Sequence, residues 1–283
     1  MSWCAEYKQK LMSAEEAVRI INSGDRVYVG TCSSVAYVLA EALWNRRNGL
    51  ENIEITSSLI SKPTPLFYET EGNRFKFGTY FMGAGERKTK NNGLKLNYTS
   101  LHLSQIDSWC KNTEIPDVCL FDVSEPDENG YMCFGPSGIA LHRFLKESAD
   151  RIIVQVNKQT PYIFGQDNLI HVSEVNAVVE VNAEAATLGN PEIDEVTKIL
   201  SNSIVEEVPD GATIQLGLGS LSTAIGFELF NKNELGIHSE LLSEPMMKLM
   251  KNGNVTIMCK GFMDGKSVFG FAFGSAELYQ YLN

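Results

Sequence analysis

The feature that most constrains this sequence is a run of predicted elements that occurs twice. In the first copy, a helix with Ser13 as its N-cap precedes an apolar strand at residues 27–30. A loop of small residues (31–34), a helix (35–43) and another apolar strand (53–56) follow. Strands that are apolar throughout are typical of parallel sheets whose two faces are both covered.

The same order of elements returns near residue 193. Its members are a helix (193–206), a strand (213–217), a loop of Gly and Ser residues (218–222), a helix (223–230) and a strand (235–239). Placing Gly30 on Gly217 aligns the two loops, and after a length difference in the helical segment Ile55 falls on Ile237. Because the copies share few identical residues, the pattern indicates either an internal duplication or the general likeness of strand–loop–helix–strand units.

Further strands are predicted at 77–82, 118–123, 152–156 and 178–181, with a helix at 139–147. The alternation predicts an α/β fold of two related open domains with mainly parallel sheets. We expect residues 1–188 to form the first domain. We expect residues 189–283 to form the first part of a second domain. Strands at 255–258 and 268–273 and a helix at 275–281 are its last predicted elements, so we expect this domain to be incomplete.

Composition excludes several classes of function. Of the 283 residues, 43% are hydrophobic and 21% charged, as in ordinary globular proteins. Acidic residues outnumber basic ones by 35 to 24, for a formal net charge of -11, so we expect no nucleic-acid partner. An anionic ligand would therefore need hydrogen-bond donors concentrated at one place.

Cysteine usage and hydropathy exclude further classes. The six cysteines and four histidines are scattered without a CxxC pair, so we expect no metal site. The N-terminal residues do not form a signal peptide, and no apolar run reaches the roughly 18 residues that a membrane span needs. We therefore expect a cytoplasmic protein with reduced thiols and no membrane partner.

The first candidate site is a strand followed by a glycine-containing loop and a helix. The loop consists of Gly217, Leu218, Gly219, Ser220 and Leu221. Such a loop presents backbone N–H groups and the positive end of a helix dipole to an anion or a developing oxyanion. The alternative is a tight turn that lets the helix pack closely on the sheet. The run is not the dinucleotide-binding GxGxxG, because Ser222 takes the third glycine position.

The second candidate is the run LGIHSE at 235–240. Its alternation predicts a strand that directs His238 and Glu240 to one side at its carboxyl end, where open α/β sheets bind ligands. A carboxylate there can act as a base or as a nucleophile. In the alternative interpretation, Glu240 belongs to the first turn of a helix and His238 is a hydrogen-bonded structural residue.

The third candidate is the acidic run at 123–135, which follows an apolar strand. It contains the turn-forming residues Pro126, Asp127, Asn129 and Gly130, so we expect a restricted turn. A cation site is the alternative, although the spacing is not that of an EF-hand loop.

The sequence resembles the acetyl-CoA hydrolase/transferase family of family I CoA-transferases, and most closely its 4-hydroxybutyrate and butyrate:acetate CoA-transferase branch. The motifs that carry the resemblance are FMGAGERK (81–88), SEPDENGY (124–131), QVNK (155–158), EIDEVTK (192–198), QLGLG (215–219) and LGIHSE (235–240). The resemblance implies the CoA-transferase fold, which is NagB/RpiA-like and has two related α/β domains. It also implies coenzyme A as a substrate and no metal.

For the chemistry, the resemblance implies a ping-pong reaction at Glu240, which matches the family's catalytic glutamate. Glu240 attacks an acyl-CoA thioester, the released CoA thiolate attacks the glutamyl carbonyl, and a carboxylate acceptor such as acetate reverses the steps. Residues 217–221 match the family's CoA-binding loop, and His238 is an orienting neighbour. The acyl group, 4-hydroxybutyryl or butyryl, is not fixed by the sequence, because such groups differ by a few methylenes or one hydroxyl.

Two departures from the family pattern are visible. Ser222 stands where the family commonly has proline, which predicts a less rigid loop. The chain is also shorter than family members, and its residues include no GxGGQ-type segment of the kind that helps to enclose the thioester. The alternatives are therefore an acyl-CoA hydrolase, or a non-catalytic fragment or subunit that needs the missing part. We expect a homo-oligomer, or association through apolar surface left uncovered on the second domain.

Overall fold

The computed structural model describes residues 2–283 except 63, 69–73, 93–95, 114, 139, 166, 257 and 259. The chain forms two compact units, Met1–Ala186 and Thr187–Asn283, called unit 1 and unit 2 below. Within the described ranges, no helix is both long enough and apolar enough to span a membrane.

Unit 1 is built around a seven-stranded parallel sheet. Its helices are α1 (Trp3–Lys10), α2 (Ala14–Ala17), α3 (Tyr37–Asn45), α4 (Pro65–Tyr68), α5 (Ala84–Asn91), α6 (Ile106–Thr113) and α7 (Ala140–Ser148). Its strands are β1 (Arg26–Thr31), β2 (Ile53–Ser58), β3 (Phe75–Thr79), β4 (Leu96–Tyr98), β5 (Val118–Val123), β6 (Tyr131–Cys133), β7 (Arg151–Asn157), β8 (Leu169–His171) and β9 (Ala177–Val181). The sheet runs in the order β4-β3-β2-β1-β5-β7-β9, and β6 pairs with β8 in a separate antiparallel ribbon.

Both faces of this sheet are covered, as the continuous apolar strands predict. In β1, Val27 and Val29 pack in the core that also holds Leu39 of α3. Tyr28, between them, packs on the opposite face with Leu145 of α7. Because successive side chains of a strand point to opposite faces, one apolar strand contributes to two cores.

Unit 2 contains a three-stranded parallel sheet in the order β10-β11-β12. Its elements are α8 (Glu195–Glu206), β10 (Thr213–Ile214), α9 (Ser220–Glu228), β11 (Gly236–Leu242), α10 (Glu244–Asn252), β12 (Val268–Ala272) and α11 (Ala276–Leu282). One face of α8 carries four apolar side chains that are 40% to 65% exposed: Val196, Ile199, Leu200 and Ile204.

Two predicted strands of unit 2 differ from the structure. The strand predicted at 213–217 ends at Ile214, because the chain leaves the sheet as it enters the glycine loop. The strand predicted at 255–258 is wrong: Val255 forms only an isolated bridge with Leu235, and residue 257 lies outside the described residues. Helix α10 precedes this segment and was not predicted.

The register of the two sheets matches the repeat found in the sequence. Val27 of β1 pairs with Ile55 of β2, and Ile214 of β10 pairs with Ile237 of β11, both in parallel. Placing Gly30 on Gly217 puts Val27 on Ile214, so the first two strands of each unit share one register. In unit 1 the sheet continues beyond β1 through β5, β7 and β9.

A buried carboxylate holds the carboxyl ends of the central strands of unit 1 together. Asp122 of β5 accepts hydrogen bonds from the side chains of Gln155, Asn157 and Thr160. Burial raises the pKa of Asp122 to about 7, although these hydrogen bonds act to lower it. The carboxyl group is therefore costly to ionise in the folded state.

We expect Asp122→Asn to remove a pH dependence of the stability of unit 1. An asparagine can accept from the two amides and donate to the Thr160 hydroxyl, which keeps the network intact. The wild type binds a proton more tightly when folded, so its stability falls as pH rises from 3.8 towards about 7. Between pH 5 and 8 the variant should therefore gain about 2 kcal/mol relative to the wild type.

Urea denaturation at pH 5 and pH 8 checks this expectation. All three tryptophans, Trp3, Trp44 and Trp109, lie in unit 1, so their fluorescence reports the unfolding of that unit. Asp150→Asn, at an exposed aspartate, is the matched control. A stability difference between Asp122→Asn and wild type that stays constant across this pH range contradicts the account of Asp122.

Candidate active site in unit 2

Glu240 and His238 lie on the open face of strand β11. Both side chains are exposed, and they alternate with the buried residues Ile237, Ser239 and Leu241. This is the alternation that the sequence indicates. Since α10 begins only at Glu244, Glu240 is a strand residue and not part of a first helical turn.

A serine ties the glycine loop to the strand of Glu240. The Leu216 N–H donates to Ser239 Oγ over 3.3 Å, and the Ser239 hydroxyl donates to the Leu216 carbonyl oxygen over 3.2 Å. Leu216 immediately precedes the loop, and Ser239 immediately precedes Glu240. Neighbouring strands of a sheet lie about 4.8 Å apart, so these bonds fix the start of the loop beside the glutamate.

The loop leads into the N-terminus of α9, which no side chain of the described residues caps. The N-cap is Gly219, whose φ of +141° is a conformation that L side chains rarely adopt. Two residues earlier, a Cβ added to Gly217 would meet nothing nearer than Ser222 Oγ at 3.9 Å. The loop is thus open, and the first N–H groups of α9 carry the positive end of its dipole.

The equivalent loop of unit 1 is closed. A Cβ on Gly30 would lie 2.1 Å from the Ser34 carbonyl oxygen, so the chain folds back tightly on this glycine. At the start of α3, Gln155 Oε1 accepts hydrogen bonds from the N–H groups of Val38 and Leu39 over 3.0 and 3.3 Å. A side chain therefore takes the place that a ligand oxygen would occupy in unit 1.

His238 is held by an aromatic neighbour. Its ring stacks on Phe262 with a centroid separation of 5.8 Å and an interplanar angle of 12°. The stack places a flat, partly apolar surface beside the face that carries Glu240. His238, which lies two residues before Glu240, thus has Phe262 as its stacking partner.

The acidic run at 123–135 forms a turn in unit 1. Asp127 Oδ1 accepts from the N–H groups of Asn129 and Tyr131, both over 2.9 Å, and its Oδ2 accepts from the Tyr162 hydroxyl over 3.0 Å. Both carboxylate oxygens are therefore engaged by protein donors. Throughout the part of the chain that the structure describes, no group of three or more His, Cys, Asp or Glu residues is arranged to hold a metal ion.

The roles of two residues in this arrangement, Gln155 and Ser239, were not predicted from the sequence. Gln155 belongs to the motif QVNK, but its partners Val38 and Leu39 are 117 and 116 residues away, beyond any local signal. Ser239 is visible as a polar residue at a core position of an alternating strand. Because a buried polar residue needs a hydrogen-bond partner, this position in the strand could have indicated a bond to a neighbouring segment.

Comparisons with known proteins place these features in a family. A family model described as the acetyl-CoA hydrolase/transferase N-terminal domain matches residues 1–188. The 4-hydroxybutyrate coenzyme A transferase of Clostridium kluyveri is 34% identical over 284 residues, covering 100% of this chain and 66% of the relative. The butyryl-CoA:acetate CoA-transferase of Anaerostipes caccae is 32% identical over 290 residues, covering 100% of this chain and 65% of the relative.

A solved structure agrees with these matches. The crystal structure of RipA from Yersinia pestis superposes with a TM-score of 0.92 at 32% identity, covering 100% of this chain and 68% of that one. The chain thus spans just under two thirds of the length of the two curated relatives.

Alanine substitutions at the two equivalent glycines should have different effects on stability. Gly30→Ala must relieve a Cβ at 2.1 Å from a backbone oxygen at a φ of +78°, so we expect a loss of at least about 2 kcal/mol. Gly217→Ala meets open space, so we expect a change within about 0.5 kcal/mol. Thermal denaturation followed by circular dichroism measures both. A loss for Gly217→Ala as large as that for Gly30→Ala would instead support a tight packing turn at the loop.

Proposed function

Because this chain belongs to the acetyl-CoA hydrolase/transferase family, we propose that it transfers coenzyme A from a short-chain acyl-CoA to a carboxylate acceptor such as acetate. The observation that carries the proposal is the exposed carboxylate of Glu240 beside an open loop that leads into an uncapped helix N-terminus. The names of the relatives support 4-hydroxybutyryl-CoA or butyryl-CoA as the donor.

The first half of the proposed reaction forms a covalent intermediate. A carboxylate oxygen of Glu240 attacks the thioester carbonyl carbon, the carbon–sulfur bond breaks, and CoA leaves as a thiolate. The product is a mixed anhydride between the acyl group and Glu240. The thiolate then attacks the glutamyl carbonyl carbon of the anhydride, the acyl group leaves as its carboxylate, and Glu240 becomes a glutamyl-CoA thioester.

The second half runs the same steps in reverse with another acid. The acceptor carboxylate attacks the glutamyl thioester, which releases the thiolate and forms a new anhydride. Attack of the thiolate on the acyl carbonyl of this anhydride then gives the new acyl-CoA and regenerates Glu240. No general base is needed, since a free carboxylate is already ionised at neutral pH.

We assign residues 217–221 the binding of CoA and the stabilisation of charge. Each attack on a carbonyl produces an oxyanion, and preorganised N–H donors lower the energy of such a charge. The loop offers backbone N–H groups and the positive end of α9, at a place where the chain tolerates close approach. The closed loop of unit 1 offers neither open backbone donors nor an unfilled helix N-terminus, which supports unit 2 as the unit that carries the reaction.

Acyl-CoA hydrolysis is the second candidate, and it is favoured by the exposure of Glu240. Water that reaches the anhydride gives two carboxylates and free CoA. The two activities therefore share every residue assigned above and differ only in which nucleophile reaches the intermediate.

Glu240→Gln should abolish turnover of butyryl-CoA, with a loss on the order of a thousand-fold or more, because the amide is not a nucleophile of comparable strength. In the wild type incubated with butyryl-CoA, borohydride should reduce the glutamyl thioester to an alcohol at Glu240. Peptide mass spectrometry locates the change. Glu206→Gln, at an exposed glutamate of α8, is the control and should leave turnover unchanged. Reduction at another residue, or full turnover by Glu240→Gln, rules out the assignment.

Acetate should convert butyryl-CoA consumption into acetyl-CoA formation. We expect acetyl-CoA to form faster than free CoA, with parallel lines in double-reciprocal plots as acetate is varied, because the acceptor reacts with a covalent intermediate. Chromatographic separation of the CoA species measures both rates. If the release of free CoA does not change with acetate, the activity is hydrolysis.

A further inference from the structure

The open face of β11 is covered as far as His238 by the loop that leads into β12. A Cβ added to Gly236 would lie 2.5 Å from Lys260 Cγ, so the Lys260 side chain runs over this part of the face. Two residues further along the strand, the ring of Phe262 stacks on that of His238. Because side chains of a strand alternate, Gly236, His238 and Glu240 point to the same side. The loop therefore lies on the face that carries Glu240, while Glu240 itself stays exposed.

This loop, residues 260–266, is held by one of its own side chains. Lys260 Nζ donates to the carbonyl oxygens of Met263 and Lys266 over 3.4 and 2.7 Å, which closes the loop on itself. Phe262 lies inside the closed segment and is nevertheless 63% exposed. Ligand sites are lined mainly by apolar and aromatic side chains. An ordered aromatic ring that is left exposed on the face of the candidate nucleophile is thus available to contact a ligand.

A glycine leaves space beside Glu240 on the neighbouring strand. His238 pairs with Val268 of β12, and the same register puts Gly270 beside Glu240. Paired residues of parallel strands point to the same side of the sheet, so Val268 stands beside His238. The face is therefore open at the carboxylate, and two residues earlier it carries the apolar surfaces of Val268 and Phe262.

The distance along the strand fits a short acyl chain. Two residues of a strand span about 7 Å. A butyryl group has three carbon–carbon bonds of about 1.5 Å, so its terminal carbon reaches roughly 4 Å from the carbonyl carbon, and van der Waals contact adds about 3.5 Å more. With its carbonyl carbon at Glu240 and its chain directed along β11, a butyryl group ends at the stacked rings of His238 and Phe262. The single methyl of an acetyl group stops short of them.

We propose that Phe262, held by its stack on His238, is a specificity-determining residue that contacts the end of a four-carbon acyl group. The inference rests on the proposed function, because it takes Glu240 as the nucleophile. The ring touches the substrate only beyond the second carbon of the acyl chain. It therefore acts on the choice of donor and leaves the chemistry at the thioester to Glu240 and the glycine loop.

Steady-state kinetics of Phe262→Ala with butyryl-CoA and acetyl-CoA as donors test the inference, with propionate as the common acceptor. In a ping-pong reaction, kcat/KM for the donor depends only on the first half-reaction, so one acceptor serves both donors. The two acyl groups differ by two methylenes, each worth about four-fold when fully buried. On this open face, kcat/KM should fall about five-fold for butyryl-CoA and change by less than about two-fold for acetyl-CoA.

Two further variants complete the test. Phe262→Leu keeps a smaller apolar side chain, so its ratio of kcat/KM for butyryl-CoA to that for acetyl-CoA should lie about two-fold below the wild-type ratio. Tyr281→Ala removes another exposed aromatic ring of unit 2 and is the matched control, which should leave both donors unchanged. Circular dichroism reports the folding of each variant. If Phe262→Ala does not fold, Phe262→Leu decides, and a ratio equal to that of the wild type overturns the inference.

The outcomes separate this inference from the function on which it rests. If the wild type transfers CoA from neither donor to propionate, the proposed function fails and the inference fails with it. If the wild type uses both donors and folded Phe262→Ala lowers both alike, or neither, the function stands and Phe262 does not select the acyl group. A selective loss with butyryl-CoA supports the contact, because a merely structural role of the ring would affect both donors equally.

Discussion

Every α-helix begins with N–H groups that its own backbone cannot satisfy, and the two units of this chain meet that constraint in opposite ways. At α3, Gln155 reaches across from β7 and fills the N-terminus with its amide oxygen. Asp122 in turn accepts from the Gln155 amide nitrogen, so the cap is held by a buried network. At α9, Gly219 supplies no side chain to do the same. The chemistry assigned to unit 2 depends on this difference, because only an unfilled N-terminus has donors to offer.

The sequence repeat predicted which loops and helices of the two units correspond. The superposition of Gly30 on Gly217 depends on hydrophobic pattern alone, and the pairings of Val27 with Ile55 and of Ile214 with Ile237 follow it. The family resemblance drawn from the motifs is likewise confirmed by the match over residues 1–188. Patterns of period two and motifs of fixed spacing are local properties of a sequence, so they can be predicted from it.

Features that depend on distant contacts were not predicted. The cap of α3 joins residues more than a hundred positions apart, and the crowding at Gly30 arises from a loop that looks as open in sequence as the one at Gly217. Ser243 is a further example, since a serine before Glu-Pro is typical of an N-cap, whereas its hydroxyl makes no capping hydrogen bond. The short apolar run at 255–258 has the composition of a strand, but tertiary contacts leave Val255 with a single bridge.

The exposure of Glu240 bears on how an anhydride at this residue is partitioned between transfer and hydrolysis. Water can approach the open face of β11, so exclusion of solvent by the described residues does not by itself protect the intermediate. The intermediate can instead be protected kinetically, if the thiolate attacks it before water does. A thiolate held beside the glutamyl carbonyl acts at an effective concentration of about 10⁵ M or more, far above that of any free nucleophile. A thiolate held in this way favours thioester formation over hydrolysis, even where the site is not fully enclosed.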